Sequence, residues 1–79
     1  MKNGSYKEKV KQLIAHKAGL DPKEIMEDMC FADDLNLGDI ELTEILEELE
    51  ELYKVELLGD QEDIESVKDL VDALEEKME

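Results

Sequence analysis

The stretch Phe31-Ala32-Asp33-Asp34-Leu35-Asn36-Leu37-Gly38-Asp39-Ile40-Glu41 decides how this chain is read. Its first half scatters apolar residues among acids without a helical or strand period. Phe31, the only phenylalanine, and Leu35 are expected to plug a core and hold a long loop against it. Its second half starts a helix. Aspartate is a strong N-cap, because its carboxylate accepts an otherwise unpaired amide hydrogen bond, and its charge suits the positive end of the helix dipole. Asp39, with Gly38 before it, is therefore expected as the cap of a helix over residues 40–53. Leu42, Ile45, Leu46, Leu49, Leu52 and Tyr53 form its apolar stripe. Glu41, Glu44, Glu47, Glu48, Glu50 and Glu51 cover the remaining faces.

Toward the N-terminus, Tyr6, Val10, Leu13, Ile14 and Lys17 recur at helical spacing, with the lysine stem at the edge of the stripe. Ser5 and Glu8 have the spacing of a capping box, so a helix is expected over 5–18, closed by Gly19. Asp21-Pro22-Lys23-Glu24 follows, a cap with proline at the first helical position. Toward the C-terminus, Val55 to Leu58 is apolar but has no partner strand, and reads as an exit into a loop. Residues 60–64 suit a short helix. Ser66 and Asp69 cap a last helix lined by Val67, Leu70, Val71 and Leu74, with Met78 near a frayed acidic tail. The expected fold is all-α: a small four-helix bundle in one domain, 1–79, with three longer helices, one short helix and a long loop between the first two.

Composition narrows the function. The chain has 79 residues and a formal net charge of -15, from 24 acids against 9 lysines and no arginine. A polyanion would be repelled, which excludes nucleic acid and disfavours anionic membranes. Basic protein surfaces are the favoured partners, and self-repulsion favours a monomer. Acidity alone could mean disorder, but 42% apolar content at regular spacing argues for a core. The one cysteine, Cys30, can form no internal disulfide, which fits a reducing compartment. No apolar run of signal-peptide or membrane-span length occurs, so a cytoplasmic location is expected.

No enzyme is expected. His16 is the sole histidine and lies off the apolar stripe, with no oriented partner in view. Cys30 has nothing basic nearby to lower its pKa and reads as a half-buried filler. A calcium loop with Gly38 at its glycine position would start at Asp33 and end at Glu44, but Leu35 and Leu37 would then occupy ligand positions and can donate no oxygen. No metal site is expected. The glutamates of the second helix admit two readings, a solvated face or a docking face for basic partners. Like charges three and four apart are mildly destabilising, and their retention without interleaved lysines gives the docking reading its weight.

The order of these parts resembles the acyl carrier protein family along nearly the whole chain. Val10-Lys11-Gln12-Leu13-Ile14 through Ala18-Gly19-Leu20 is similar to the family's first helix and its closing "LGV". Phe31-Ala32-Asp33-Asp34-Leu35 resembles its "F-x-x-D-L" anchor, and Asn36-Leu37-Gly38-Asp39-Ile40-Glu41 aligns without a gap on "G-x-D-S-L-D". Glu44-Ile45, Leu49-Glu50-Glu51 and Ile64-Glu65-Ser66-Val67 match the second helix and the entry to the last. The resemblance implies a phosphopantetheine arm on the serine of "D-S-L", carrying acyl groups as thioesters between the synthases and transferases of fatty-acid or polyketide-type biosynthesis.

Here Asp39 stands at the serine position and Gly38 replaces the preceding aspartate. A carboxylate cannot form the phosphodiester, so no phosphopantetheine is expected on this chain, whether it is a divergent paralogue or a Ser→Asp variant. The same resemblance makes Gly38, Ile40, Glu41, Thr43, Glu44, Glu47 and Glu48 the expected contacts for acyl-chain-handling enzymes, including a phosphopantetheinyl transferase. Thr43 and Glu47 depart from the family's apolar residues there. The rival reading is an unmodified acidic interaction module that docks basic partners through its second helix.

Overall fold

The period of the central helix is realised as α2, Asp39–Tyr53, in a computed structural model that describes residues 2–78, with side chains from Lys7 onward. α2 turns Leu42, Ile45, Leu46 and Leu49 into the core. Its stripe ends there, because Leu52 is 50% exposed and Tyr53 only half-buried, one turn past the last full contact. Lys54 closes the helix in the left-handed conformation, φ 57°.

The first helix, α1, spans Lys2–Ala18 and begins ahead of the expected start at Ser5. The side chains of Ser5 and Tyr6 lie outside the described residues. Val10, Ile14 and the unexpected Ala15 are buried, with Leu13 half-buried beside them. Gly19 adopts φ 74°, and the Leu20 N–H donates to the Ala15 carbonyl at 2.9 Å, the reversal that glycine permits without strain. Asp21 then caps a 3-10 turn, Pro22–Glu24, with the full reciprocal box to Glu24.

The long loop is anchored as its apolar residues required. Ile25, Phe31, Leu35 and Leu37 are all buried. Asn36 holds φ 58°, a conformation asparagine tolerates better than other non-glycine residues. An isolated antiparallel bridge between Cys30 and Ser66, unsignalled by any residue pattern, ties this loop to the start of the last helix. Phe31 N–H donates to Glu65, Val67 N–H to Met29 and Lys68 N–H to Glu27, at 2.9–3.0 Å. The loop carbonyls thus satisfy two of the amides that a helix start leaves unpaired.

That last helix, α3, spans Val67–Met78 and buries Val67, Leu70, Val71 and Leu74. Its expected cap is present: Ser66 Oγ accepts from the Asp69 amide, and Asp69 Oδ2 from the Ser66 and Glu65 amides. The short helix expected over 60–64 is present as a 3-10 helix, Leu58–Asp63. It is flanked by Leu57 and Ile64, which are buried and fix both its ends. One apolar cluster joins all three α-helices and the long loop.

Candidate functional site

The start of α2 is built differently from the expectation at one residue. Gly38, not Asp39, is the N-cap: its carbonyl accepts the first helical bond, from the Leu42 amide at 3.0 Å. Glu41 folds back so that Oε1 accepts the Gly38 N–H at 2.9 Å. Glycine has no side chain to complete the reciprocal half of a capping box. A β-carbon on Gly38 would lie 3.2 Å from that same Glu41 oxygen, so the glycine makes room for the carboxylate. The third-position glutamate was the sequence signal for this cap, and the stronger capping tendency of aspartate masked it.

Asp39 therefore sits at the first helical position. It is exposed, and among the described residues its carboxylate makes no hydrogen bond or ion pair. Ile40 next to it is 73% exposed, the most exposed large apolar side chain described. These two side chains stand side by side in solvent at the mouth of the helix.

Thr43 is the hydroxyl nearest to Asp39 in sequence, and it is engaged within the fold. It is half-buried, with Oγ1 2.8 Å from the Asp39 carbonyl and 3.0 Å from Gln61 Oε1. Gln61 Nε2 donates to the same Asp39 carbonyl at 3.1 Å. The donor set at residue 39 is thus a free carboxylate, and the nearby hydroxyl serves the fold.

Down the helix, Glu44, Glu47 and Glu48 are exposed and line an open acidic groove with Glu51, between Lys17 and Lys54. Lys17 pairs with Glu44, joining the end of α1 to α2. The hydrogen bond to Glu44 raises the Lys17 pKa above its ordinary value, with the charges of Glu44, Glu48 and Glu41 adding to it against partial desolvation. Glu50 lines the same groove, and its Oε2 also accepts the Leu57 and Leu58 amides at 2.6 and 2.9 Å. Gly38, Ile40, Glu41, Glu44, Glu47 and Glu48 share the exposed side of α2 or its cap, whereas Thr43 turns toward Gln61.

Elsewhere the chemistry is sparse. The Cys30 thiol is pushed up by burial first and then by Asp34, Asp33, Glu65 and Asp69, which opposes thiolate reactivity. His16 is exposed. Among the described residues no three His, Cys, Asp or Glu side chains are arranged to hold a metal ion. No described helix is long and apolar enough to cross a membrane.

No family model matches the chain. Individual proteins do. It is 36% identical over 74 residues to an acyl carrier protein of Solidesulfovibrio magneticus, covering 92% of this chain and 95% of the relative. It is 32% identical over 72 residues to an acyl carrier protein of Thermosynechococcus vestitus, covering 90% and 89%. It is 31% identical over 74 residues to an acyl carrier protein of Chlamydia muridarum, covering 92% and 96%.

Proposed function

Because this chain belongs to the acyl carrier protein family, we propose that it docks on enzymes that handle acyl chains while carrying no phosphopantetheine on residue 39. The observation that carries the reading is the free, exposed carboxylate of Asp39 at the start of α2, beside the exposed Ile40. Attachment of the arm needs a hydroxyl oxygen to attack the pyrophosphate of coenzyme A. A carboxylate offers no such group, and the Thr43 hydroxyl is held by Gln61 and the Asp39 carbonyl. The residues at the site do not fit the prosthetic group.

What Asp39 keeps is charge. A phosphodiester on serine carries one negative charge at this place, and so does an aspartate side chain. The docking surface of α2 then remains anionic from its first residue to Glu51. Basic partner surfaces meet it through long-range steering and rim contacts. The protein contributes no catalytic group of its own to this role. We place it in the cytoplasm as a monomer, where its charge keeps copies apart.

The test is binding to a basic acyl-chain-handling enzyme, such as a phosphopantetheinyl transferase, followed by calorimetry. Reversing Glu44, Glu47 and Glu48 to lysine is expected to weaken association at least about tenfold and to flatten its salt dependence. Unchanged affinity in the triple variant would leave α2 as an ordinary solvated face.

A further inference from the structure

α2 carries seven acids and no basic residue. Six of the nine lysines fall instead in the first 23 residues, against two acids there. Any cation that meets the α2 face must therefore come from outside the helix. Two line its groove: Lys54 from the C-cap and Lys17 from the last turn of α1. Among the described residues Lys17 alone of the two makes an ion pair, and it takes Glu44. Glu47, Glu48 and Glu51 make no hydrogen bond or ion pair among those residues. The Lys17 side chain is 25% exposed, against 50% for Glu44. Its stem lies along the apolar edge of α1, on the face of half-buried Leu13 one turn before it, and carries the ammonium out to the carboxylate. The lysine is the more fixed partner of the two, and the glutamate the one that a newcomer could turn away.

We propose that Lys17 is a built-in competitor for the α2 docking face: it occupies Glu44, and a basic side chain of the partner must displace it before that carboxylate can be used. The inference rests on the docking reading above and names what limits it. The partner gains one ion pair at Glu44 only by breaking another, so that contact adds less than its charge suggests. Glu47, Glu48 and Glu51 carry no such competitor and are engaged without an exchange. An exposed pair is weak, so Lys17 tunes the affinity by about two- to fivefold and does not block it. The same pair ties α1 to α2. Removing Lys17 therefore loosens the fold while it tightens docking, two effects of opposite sign. A lysine that served the fold alone would lower both together.

Calorimetric titration with a broad-specificity phosphopantetheinyl transferase tests it, run on the unaltered protein, Lys17→Gln, Glu44→Gln and the double variant. The salt is about 0.15 M, where the screening length is about 8 Å. Lys17→Gln is expected to bind about two- to fivefold tighter while melting at a lower temperature. Lys23→Gln removes the same charge from the 3-10 turn Pro22–Glu24, outside the groove, and should change the affinity by less than about 1.5-fold. With Glu44→Gln already in place, the gain from Lys17→Gln should shrink to that of Lys23→Gln, since no carboxylate is left to release. The proposal is overturned if Lys17→Gln binds no tighter than the unaltered protein, if Lys23→Gln gives the same gain, or if the gain survives without Glu44. Affinity indifferent to Glu44→Gln would sink the docking reading together with this one. Affinity that needs Glu44 yet ignores Lys17 would sink this inference alone. Should Lys17→Gln fail to fold, Lys17→Met keeps the apolar stem and removes the same charge.

Discussion

At the scale of single residues, the start of α2 is a trade between capping and chemistry. Residue 39 lies at the exposed first position of α2, beyond the Gly38 cap, so folding places little constraint on it. Moving the cap to Gly38 frees the Asp39 carboxylate from any structural bond and hands the capping to Glu41. The sequence made Asp39 the obvious cap, and the error was one residue. Two acceptors competed for the same helix end, and glycine with a third-position glutamate won. Lys17 carries a residue-scale prediction. Its folded-state pKa lies above its ordinary value of 10.5. Its contribution to stability is therefore fully present below about pH 10.5 and is lost as pH rises through the higher folded value. Melting temperatures of the protein and of Lys17→Gln should differ by a constant amount from pH 6 to 10 and converge above that. A gap that persists at high pH would mean that the Lys17 stem, rather than its charge, does the stabilising.

Elements were legible wherever they carry their own period. α1, α2 and α3 each show a three–four apolar repeat, the Ser66–Asp69 pair marked the start of α3 in sequence, and the Asp21 cap marked that of the 3-10 turn Pro22–Glu24; both hold in the structure. Segments held by distant partners were not legible. The Cys30–Ser66 bridge joins residues 36 positions apart through backbone groups alone, and the Glu50 carboxylate clamps backbone amides 7–8 positions on; backbone groups have no residue code. The stripe of α2 also misled at its end, since periodicity does not reveal where a neighbouring element stops. This gives a paired prediction for urea unfolding. Leu46→Ala, at a fully buried site, should cost about 2–5 kcal/mol, whereas Leu52→Ala, half exposed, should cost less than about 1 kcal/mol. Equal losses would place Leu52 in the core.

For the molecule as a whole, charge is the dominant feature. A net charge of -15 is carried on a body with a radius of gyration of only 11.2 Å. At low salt most of these charges feel one another, because the screening length is about 30 Å at 0.01 M and about 8 Å at 0.15 M. Among the described residues, four exposed or half-exposed ion pairs offset little of that repulsion. Raising NaCl from 0.01 to 0.15 M should therefore raise the melting temperature by several degrees, about 4–8 °C for each kcal/mol of repulsion relieved. A flat response in a scanning-calorimetry series would mean that the acids are spread widely enough to ignore one another. The same field that burdens the fold is what a basic partner would read, and α2 concentrates it beside Asp39.

The claim on which the rest turns is that residue 39 takes no prosthetic group. Intact mass after incubation with coenzyme A, magnesium and a broad-specificity phosphopantetheinyl transferase measures it directly, run beside Asp39→Ser. The expected result is an unchanged mass for the chain as it stands and the gain of one phosphopantetheine by the serine variant. A phosphopantetheine found on the unaltered chain would contradict it and place the arm on another residue.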